Sequence, residues 1–265
     1  MTQESLRTHP WRYPGTPQPT ASVLGLNDEL AVRRNDRLEY ARVGGVPLDE
    51  ALVRVGVSPV GGRYPVAAFG SNADPQVLSR KLAEGGVSLV APLVPGTLSG
   101  ATLAASAHVS RPGYIAAAAQ AAPGRALAIV VAWLDREQLD CLTQTEPNYR
   151  TAVVAGAAEL VHGEVLGAVM FYNTWRGIIR FGVEDIRTQE VVWRRVLAEA
   201  PELGSLLGLS SRPPDAELRS VMLRLAAHPR LRLEATRLLE PHASASGFAA
   251  GPGQAPTAYG ETGSE

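Results

Sequence analysis

The stretch Tyr64-Pro65-Val66-Ala67-Ala68-Phe69-Gly70-Ser71-Asn72-Ala73-Asp74-Pro75 decides how the rest of the chain is read. Its apolar run is short enough for a buried strand and stops abruptly at Gly70-Ser71-Asn72. A helix follows: Asp74 is placed to cap it, Pro75 suits its first position, and Leu78 and Leu82 lie four apart on one face. Gly85-Gly86 ends it. A strand that stops in Gly-Ser-Asn just before a capped helix gathers backbone N–H groups and two small polar side chains at one point. Gly70 lets a ligand approach the backbone closely, and the helix start favours an anion. The same residues are also common formers of an ordinary strand-to-helix turn. Spacing alone leaves both readings open.

Working outward, residues 1–20 read as a loose, proline-rich tail and residues 21–62 as a helical or irregular N-terminal appendage. Downstream, Val87 to Val94 is a strand candidate closed by Pro95-Gly96, with further strands over Thr97 to Val109 and Tyr114 to Ala119. The most apolar stretch, Ile115 to Leu134, is interrupted by Gln120 and by the turn signal Pro123-Gly124-Arg125. It reads as two strands rather than a membrane helix, with Leu127 to Leu134 the stronger. Asp135-Arg136-Glu137-Gln138 has the form of a capping box opening a short helix that Pro147 limits. Strands are expected over Thr151 to Val154 and Gly163 to Tyr172. The chain then turns helical, with one apolar stripe at Val191, Val192, Val196 and Leu197 and another at Leu218, Val221, Met222 and Leu225. Residues 243–265 are small, Gly-, Ala- and Pro-rich, and expected to be disordered. This order is α+β and lacks the regular alternation of a doubly wound sheet. The expected architecture is a small mixed sheet curled into a barrel with flanking helices over 63–200, followed by C-terminal helices over 201–242.

Composition narrows the function classes. The 265 residues carry a net charge of −1 and 45% apolar residues, so a core can form without disulfide or metal. Arginine strongly outnumbers lysine, and no basic run gives nucleic acid a footprint. Cys141 is the single cysteine, which excludes an internal disulfide and any multi-cysteine zinc site, and packing accounts for it. His9, His108, His162, His228 and His242 lack ligand spacing, so no metal site is expected. Ser71 lies outside any Gly-x-Ser-x-Gly elbow. Trp175, Arg176 and Arg180 suit either a pocket rim or a surface cation–aromatic contact. With no secretory signal before Pro19, a soluble cytoplasmic protein is expected.

Glu146, in Thr145-Glu146-Pro147-Asn148-Tyr149-Arg150, is the second chemical candidate. A glutamate held near apolar walls works as a base near neutral pH. The plainer readings are a solvated side chain or one paired with Arg150. Ala68-Phe69-Gly70-Ser71-Asn72, Gly113-Tyr114-Ile115-Ala116-Ala117, Leu127 to Asp140, and Glu146 with Tyr149 follow one another in an order that resembles the γ-glutamylcyclotransferase family, over roughly residues 64 to 180. The resemblance implies a barrel-like α+β fold and intramolecular chemistry without cofactor or metal. A γ-glutamyl amine or peptide would close to 5-oxoproline and release an amine. It also implies Glu146 as general acid and base, with Phe69, Gly70, Ser71, Asn72, Tyr149 and Tyr114 around the small-molecule substrate, and neither nucleic acid nor membrane as partner. The chain departs from the family where Phe69 replaces a tyrosine and where Pro147 follows Glu146. An inactive ligand-binding or interaction module on the same fold is the alternative.

Overall fold

The computed structural model describes residues 5–26, 28–179, 188–210, 212–248 and 258–259. Its strands are β1 (Ser22–Leu24), β2 (Asp28–Ala31), β3 (Arg42–Val43), β4 (Val46–Pro47), β5 (Tyr64–Ala68), β6 (Ala91–Val109), β7 (Ile115–Leu134), β8 (Tyr149–Leu160), β9 (Val165–Thr174), β10 (Ile178–Ile179) and β11 (Ala243–Ser244). Its α-helices are α1 (Leu48–Arg54), α2 (Pro75–Glu84), α3 (Arg136–Gln144), α4 (Gln189–Glu199), α5 (Pro201–Leu207), α6 (Asp215–Ala227) and α7 (Pro229–Leu239). The class is α+β, as expected. Among the described residues no helix is long and apolar enough to cross a membrane.

The chain divides into two compact units, and the division falls inside β6, after residue 102, and inside β7, after residue 121.

One unit contains residues 16–102 and 122–173 together with 258–259. Here β6, β7, β5, β9 and β8 pair in turn, and β8 pairs back onto β6, so five strands close into a ring. The sheet is mixed. β5 runs antiparallel to β7 from Tyr64↔Leu134 to Ala68↔Val130, and parallel to β9 at Val66↔Met170 and Ala67↔Phe171. The closing seam is Gly96↔Leu160 to Leu98↔Ala158.

That seam corrects the reading of Pro95-Gly96 as a strand end, because β6 runs straight through it. A Cβ on residue 96 would sit 2.5 Å from the Glu159 carbonyl oxygen, so glycine here serves the close approach of two backbones. The Pro95 carbonyl accepts from the Val161 N–H at 2.9 Å. Likewise β7 is one strand of 20 residues, not two. Pro123 and Gly124 lie in its exposed middle, with Gly124 at φ +77°, where a missing ladder N–H is tolerated.

Inside this unit, Leu78 and Leu82 of α2 and Leu139 and Leu142 of α3 pack with Val66, Ala68, Val130, Ala132, Leu134 and Met170. Each fully buried leucine contributes about 1.5–3 kcal/mol. Both caps expected from sequence are formed. The Asp74 side chain accepts from the Gln76 N–H at 2.9 Å, and Asp135 with Gln138 makes the reciprocal capping box. The expected helical or irregular appendage is instead an antiparallel meander: β1 pairs with β6 and β2, β2 with β3, and β3 with β4.

Tyr259 corrects the expectation of a wholly disordered C-terminus. It is buried, donates its hydroxyl to Glu164 Oε1, accepts from the Leu38 N–H at 3.2 Å, and sends its own N–H to the Arg63 carbonyl at 2.8 Å. Of that expected tail, residues 249–257 and 260–265 lie outside the described residues.

The other unit holds residues 5–15, 103–121 and the described part of 174–248. Residues 5–15 do not form a loose tail here. Leu6 and Tyr13 are buried, Tyr13 stacks on Tyr114 at 3.9 Å, and its hydroxyl accepts from the Ala117 N–H at 2.7 Å. The stripe Leu218, Val221, Met222 and Leu225 is buried, as are Val192, Val196 and Leu197, whereas Val191 faces solvent. The Gln189 side chain takes the place of a strand partner, accepting from the Ile115 N–H and donating to its carbonyl. β10 pairs with β11 and meets β6 at Ser106. His108 is buried, with Nδ1 2.7 Å from Ser106 Oγ, which in turn lies 2.7 Å from Thr174 Oγ1. Burial, with a smaller push from Arg176, holds its imidazole down at about 3. The Arg176 guanidinium lies over the Trp175 ring at 4.0 Å. Arg180 lies outside the described residues.

Candidate active site

Glu146 owes its position to the way α3 ends. Past Gln144 the backbone tightens, with Thr145 N–H bonded to the Leu142 carbonyl at 3.0 Å and Glu146 N–H to the Thr143 carbonyl at 3.1 Å. The chain then reverses through Pro147-Asn148, closed by the Tyr149 N–H on the Glu146 carbonyl at 3.0 Å. Proline fits the second position of such a turn because its ring presets φ. Glu146 is therefore pinned on both sides of its Cα before its side chain makes any contact.

The loop after β5 closes just as tightly. The Ala73 N–H donates to the Gly70 carbonyl at 3.0 Å and the Asp74 N–H to the Ser71 carbonyl at 3.1 Å. Among the described residues no backbone carbonyl outside the turn accepts from the amides of Ser71 and Asn72.

The two segments meet at the Glu146 carboxylate. Oε1 accepts from Asn72 Nδ2 at 3.0 Å and from Lys81 Nζ at 2.5 Å, while Lys81 also donates to Asn72 Oδ1 at 2.8 Å. Three side chains from the loop, α2 and the turn after α3 thus form a closed triangle. The Glu146 and Lys81 side chains are 14% and 16% exposed, so this is a semi-buried ion pair at the surface of the barrel unit. Among the described residues no hydrogen bond reaches Oε2. The carboxylate has one oxygen held by an ammonium and an amide, and a second oxygen left for a ligand.

The neighbouring polar group is the Tyr172 hydroxyl, 2.9 Å from Thr143 Oγ1. Burial above all, and to a lesser degree the Glu146 charge, pushes this phenol well up, so it stays protonated.

Of the residues singled out from sequence, Glu146 and Asn72 are in direct contact, and Gly70 and Ser71 form the loop that carries Asn72. Phe69 is partly buried, its ring edge-on to Phe171 at 6.2 Å. Tyr149 closes the Glu146 turn and packs on the barrel core. Tyr114 belongs to the other unit. The ion-pair partner of Glu146 is Lys81, not Arg150. Cys141 packs between α2 and α3, with Sγ 3.6 Å from the Lys81 carbonyl.

Lys81 and Tyr172 were missed in the sequence. For Lys81 a signal existed: of the 25 Lys and Arg residues 24 are arginine, and Lys81 is the only lysine in the chain.

No protein-family model matches the chain, and no curated protein matches it. Solved structures resemble it loosely. A γ-glutamyl cyclotransferase aligns over 61% of this chain and 98% of its own, at 13% identity and a TM-score of 0.35. An uncharacterised protein from Homo sapiens gives 61%, 98%, 14% and 0.36 for the same measures. A solution structure from Arabidopsis thaliana gives 52%, 79%, 18% and 0.35. Superpositions this loose, at identities this low, carry no weight for activity.

Proposed function

We propose that the barrel unit closes a γ-glutamyl amine or peptide to 5-oxoproline and releases the amine, with Glu146 as general acid and base. The observation that carries this reading is the half-engaged carboxylate: Oε1 fixed by Asn72 and Lys81, and Oε2 without a hydrogen bond among the described residues. The substrate's α-ammonium gives a proton to Oε2, and the freed amine attacks the γ-carbonyl of the same molecule to form a five-membered ring. Effective molarities of roughly 10⁵ M or more are reached in well-oriented ring closures, so the protein has mainly to hold one conformer. In this reading the amides of Gly70, Ser71 and Asn72 receive the α-carboxylate or the developing oxyanion, with Phe69 and Tyr149 beside the chain of the substrate. The sequence resemblance named above supports the assignment independently of the geometry.

A second reading is a ligand-binding module without turnover. It is favoured by the Lys81–Glu146 pair itself, since a carboxylate already neutralised at 2.5 Å is also how a purely structural ion pair is built. The two separate in one experiment. Purified protein is mixed with a panel of γ-glutamyl amides and peptides, and both 5-oxoproline and binding are followed. The enzyme reading expects 5-oxoproline with an equal amount of amine. Binding without product across the panel favours the module.

A further inference from the structure

Every cation of this chain is arginine except the one that touches Glu146. An arginine would serve a structural ion pair at least as well, because its guanidinium binds carboxylates through a planar fork and is always charged. What lysine offers, and arginine cannot, is a proton it can lose and regain. Lys81 carries three N–H donors. Two are spent, on Glu146 Oε1 at 2.5 Å and Asn72 Oδ1 at 2.8 Å, and the third meets no acceptor among the described residues. A spare donor on Lys81 thus stands beside the spare acceptor, Oε2, on Glu146.

We propose that Lys81 is the general acid that protonates the departing amine. This rests on the cyclisation reading and refines its second half: the proton that Glu146 gives back reaches the leaving nitrogen through Lys81 and not directly. Closing the ring requires two protons to cross from the α-nitrogen to the leaving nitrogen. Glu146 takes the first, and the α-nitrogen forms its bond to the γ-carbon. As the bond from that carbon to the leaving nitrogen breaks, the third N–H of Lys81 supplies a proton to that nitrogen. The protonated Glu146, in contact with Nζ, returns its proton to Lys81, which restores both side chains. The closed ring's nitrogen then loses the second proton to Glu146, and this proton passes to the released amine, now an ammonium. Nothing is oxidised or reduced, and no further reactant is needed.

The role has a signature that a positioning contact lacks, because an acid matters only when the leaving group needs one. The substrates are γ-glutamyl p-nitroanilide, whose amine departs without help, and a γ-glutamyl alkylamide, whose amine does not. For Lys81→Met and Lys81→Arg the kcat on the alkylamide is expected to fall about 10²-fold or more, the range of general acid catalysis, while the p-nitroanilide is cleaved within about threefold of wild type. The Arg variant keeps the positive charge and a hydrogen-bonded pair, so its failure on the alkylamide is assigned to the lost proton. Thermal melts of both variants establish that they fold. An equal loss on both substrates, or a rise in KM with kcat unchanged, overturns the acid role, as does full activity of Lys81→Arg on the alkylamide. If wild type releases 5-oxoproline from neither substrate, the cyclisation reading itself has failed, which is a different result.

Discussion

Asn72 is the most informative residue to change, because it holds both ends of the ion pair. Its amide donates to Glu146 Oε1 at 3.0 Å and its carbonyl accepts from Lys81 at 2.8 Å. In Asn72→Ala two hydrogen bonds to charged groups disappear, each about 1.5–3 kcal/mol at most. Together they set an upper limit of about 3–6 kcal/mol; the ion pair survives and water takes over part of both bonds at this partly exposed site, so a net loss of about 1.5–3 kcal/mol is expected, with little dependence on pH. Asn72→Asp has the same shape and a different charge. At an effective dielectric near 20, two unit charges 3.0 Å apart repel by roughly 5–6 kcal/mol, and the attraction to Lys81 at 2.8 Å is of the same size. The two cancel, which leaves the lost donor to Glu146 as the deciding term, about 1.5–3 kcal/mol above neutral pH. In Asn72→Asp a proton on the new side chain restores the donor to Glu146 Oε1, a bond the unfolded chain lacks. The folded variant therefore holds that proton more tightly, so the destabilisation develops as pH rises and is recovered as pH falls. Urea melts between pH 5 and 8, followed through the buried Trp133 of the barrel unit, read this directly. Unchanged midpoints for Asn72→Ala, or a pH-independent deficit for Asn72→Asp, would refute the triangle as described.

Two further outcomes are expected. His108 is held neutral, with its imidazole at about 3 against an ordinary 6.5, so the unfolded chain binds a proton that the folded chain refuses. Stability from this site is complete above 6.5 and falls as pH drops towards 3, by roughly 2 kcal/mol at pH 5. Asn in its place removes that slope, and urea midpoints at pH 5 and 7 compare the two proteins. Tyr259→Phe takes a donor from Glu164, whose side chain is only 8% exposed and shares the site with His162 and the Leu38 N–H. A loss of about 1–3 kcal/mol is expected in a denaturation curve, and an unchanged curve would show that Glu164 is satisfied without the phenol.

Local chemistry was legible in the sequence wherever a few neighbouring residues decide the outcome. The Asp74-Pro75 start of α2 and the Asp135/Gln138 box of α3 both rest on contacts within four residues. Long-range pairing was less legible. Pro95-Gly96 and Pro123-Gly124 carry turn chemistry, yet β6 and β7 run through both, because a partner strand at Gly96 and exposure at Pro123 alter what those residues cost. The meander of β1 to β4 hid in short strands whose support comes from pairing with β6 rather than from propensity. Tyr13 and Tyr259 were lost within tails judged by composition, where one aromatic outweighs a dozen small residues once a cradle exists. At the candidate site, spacing left Glu146 and the Gly70-Ser71-Asn72 loop open to plainer readings; the resemblance grouped them, and Asn72 and Glu146 are in contact. Lys81 was not readable, since its distance of 65 positions from Glu146 leaves no local pattern. Its only trace was being the single lysine among arginines.

The most direct measurement is product formation by wild type and Glu146→Gln side by side, on a γ-glutamyl amide that the wild type turns over. 5-Oxoproline and free amine are quantified together, with melting temperature as the control for folding. A ring-closing base at residue 146 gives equimolar products with wild type and a rate lower by about 10²–10⁴-fold in the folded variant. Equal rates from the two proteins, or glutamate in place of 5-oxoproline, would contradict it.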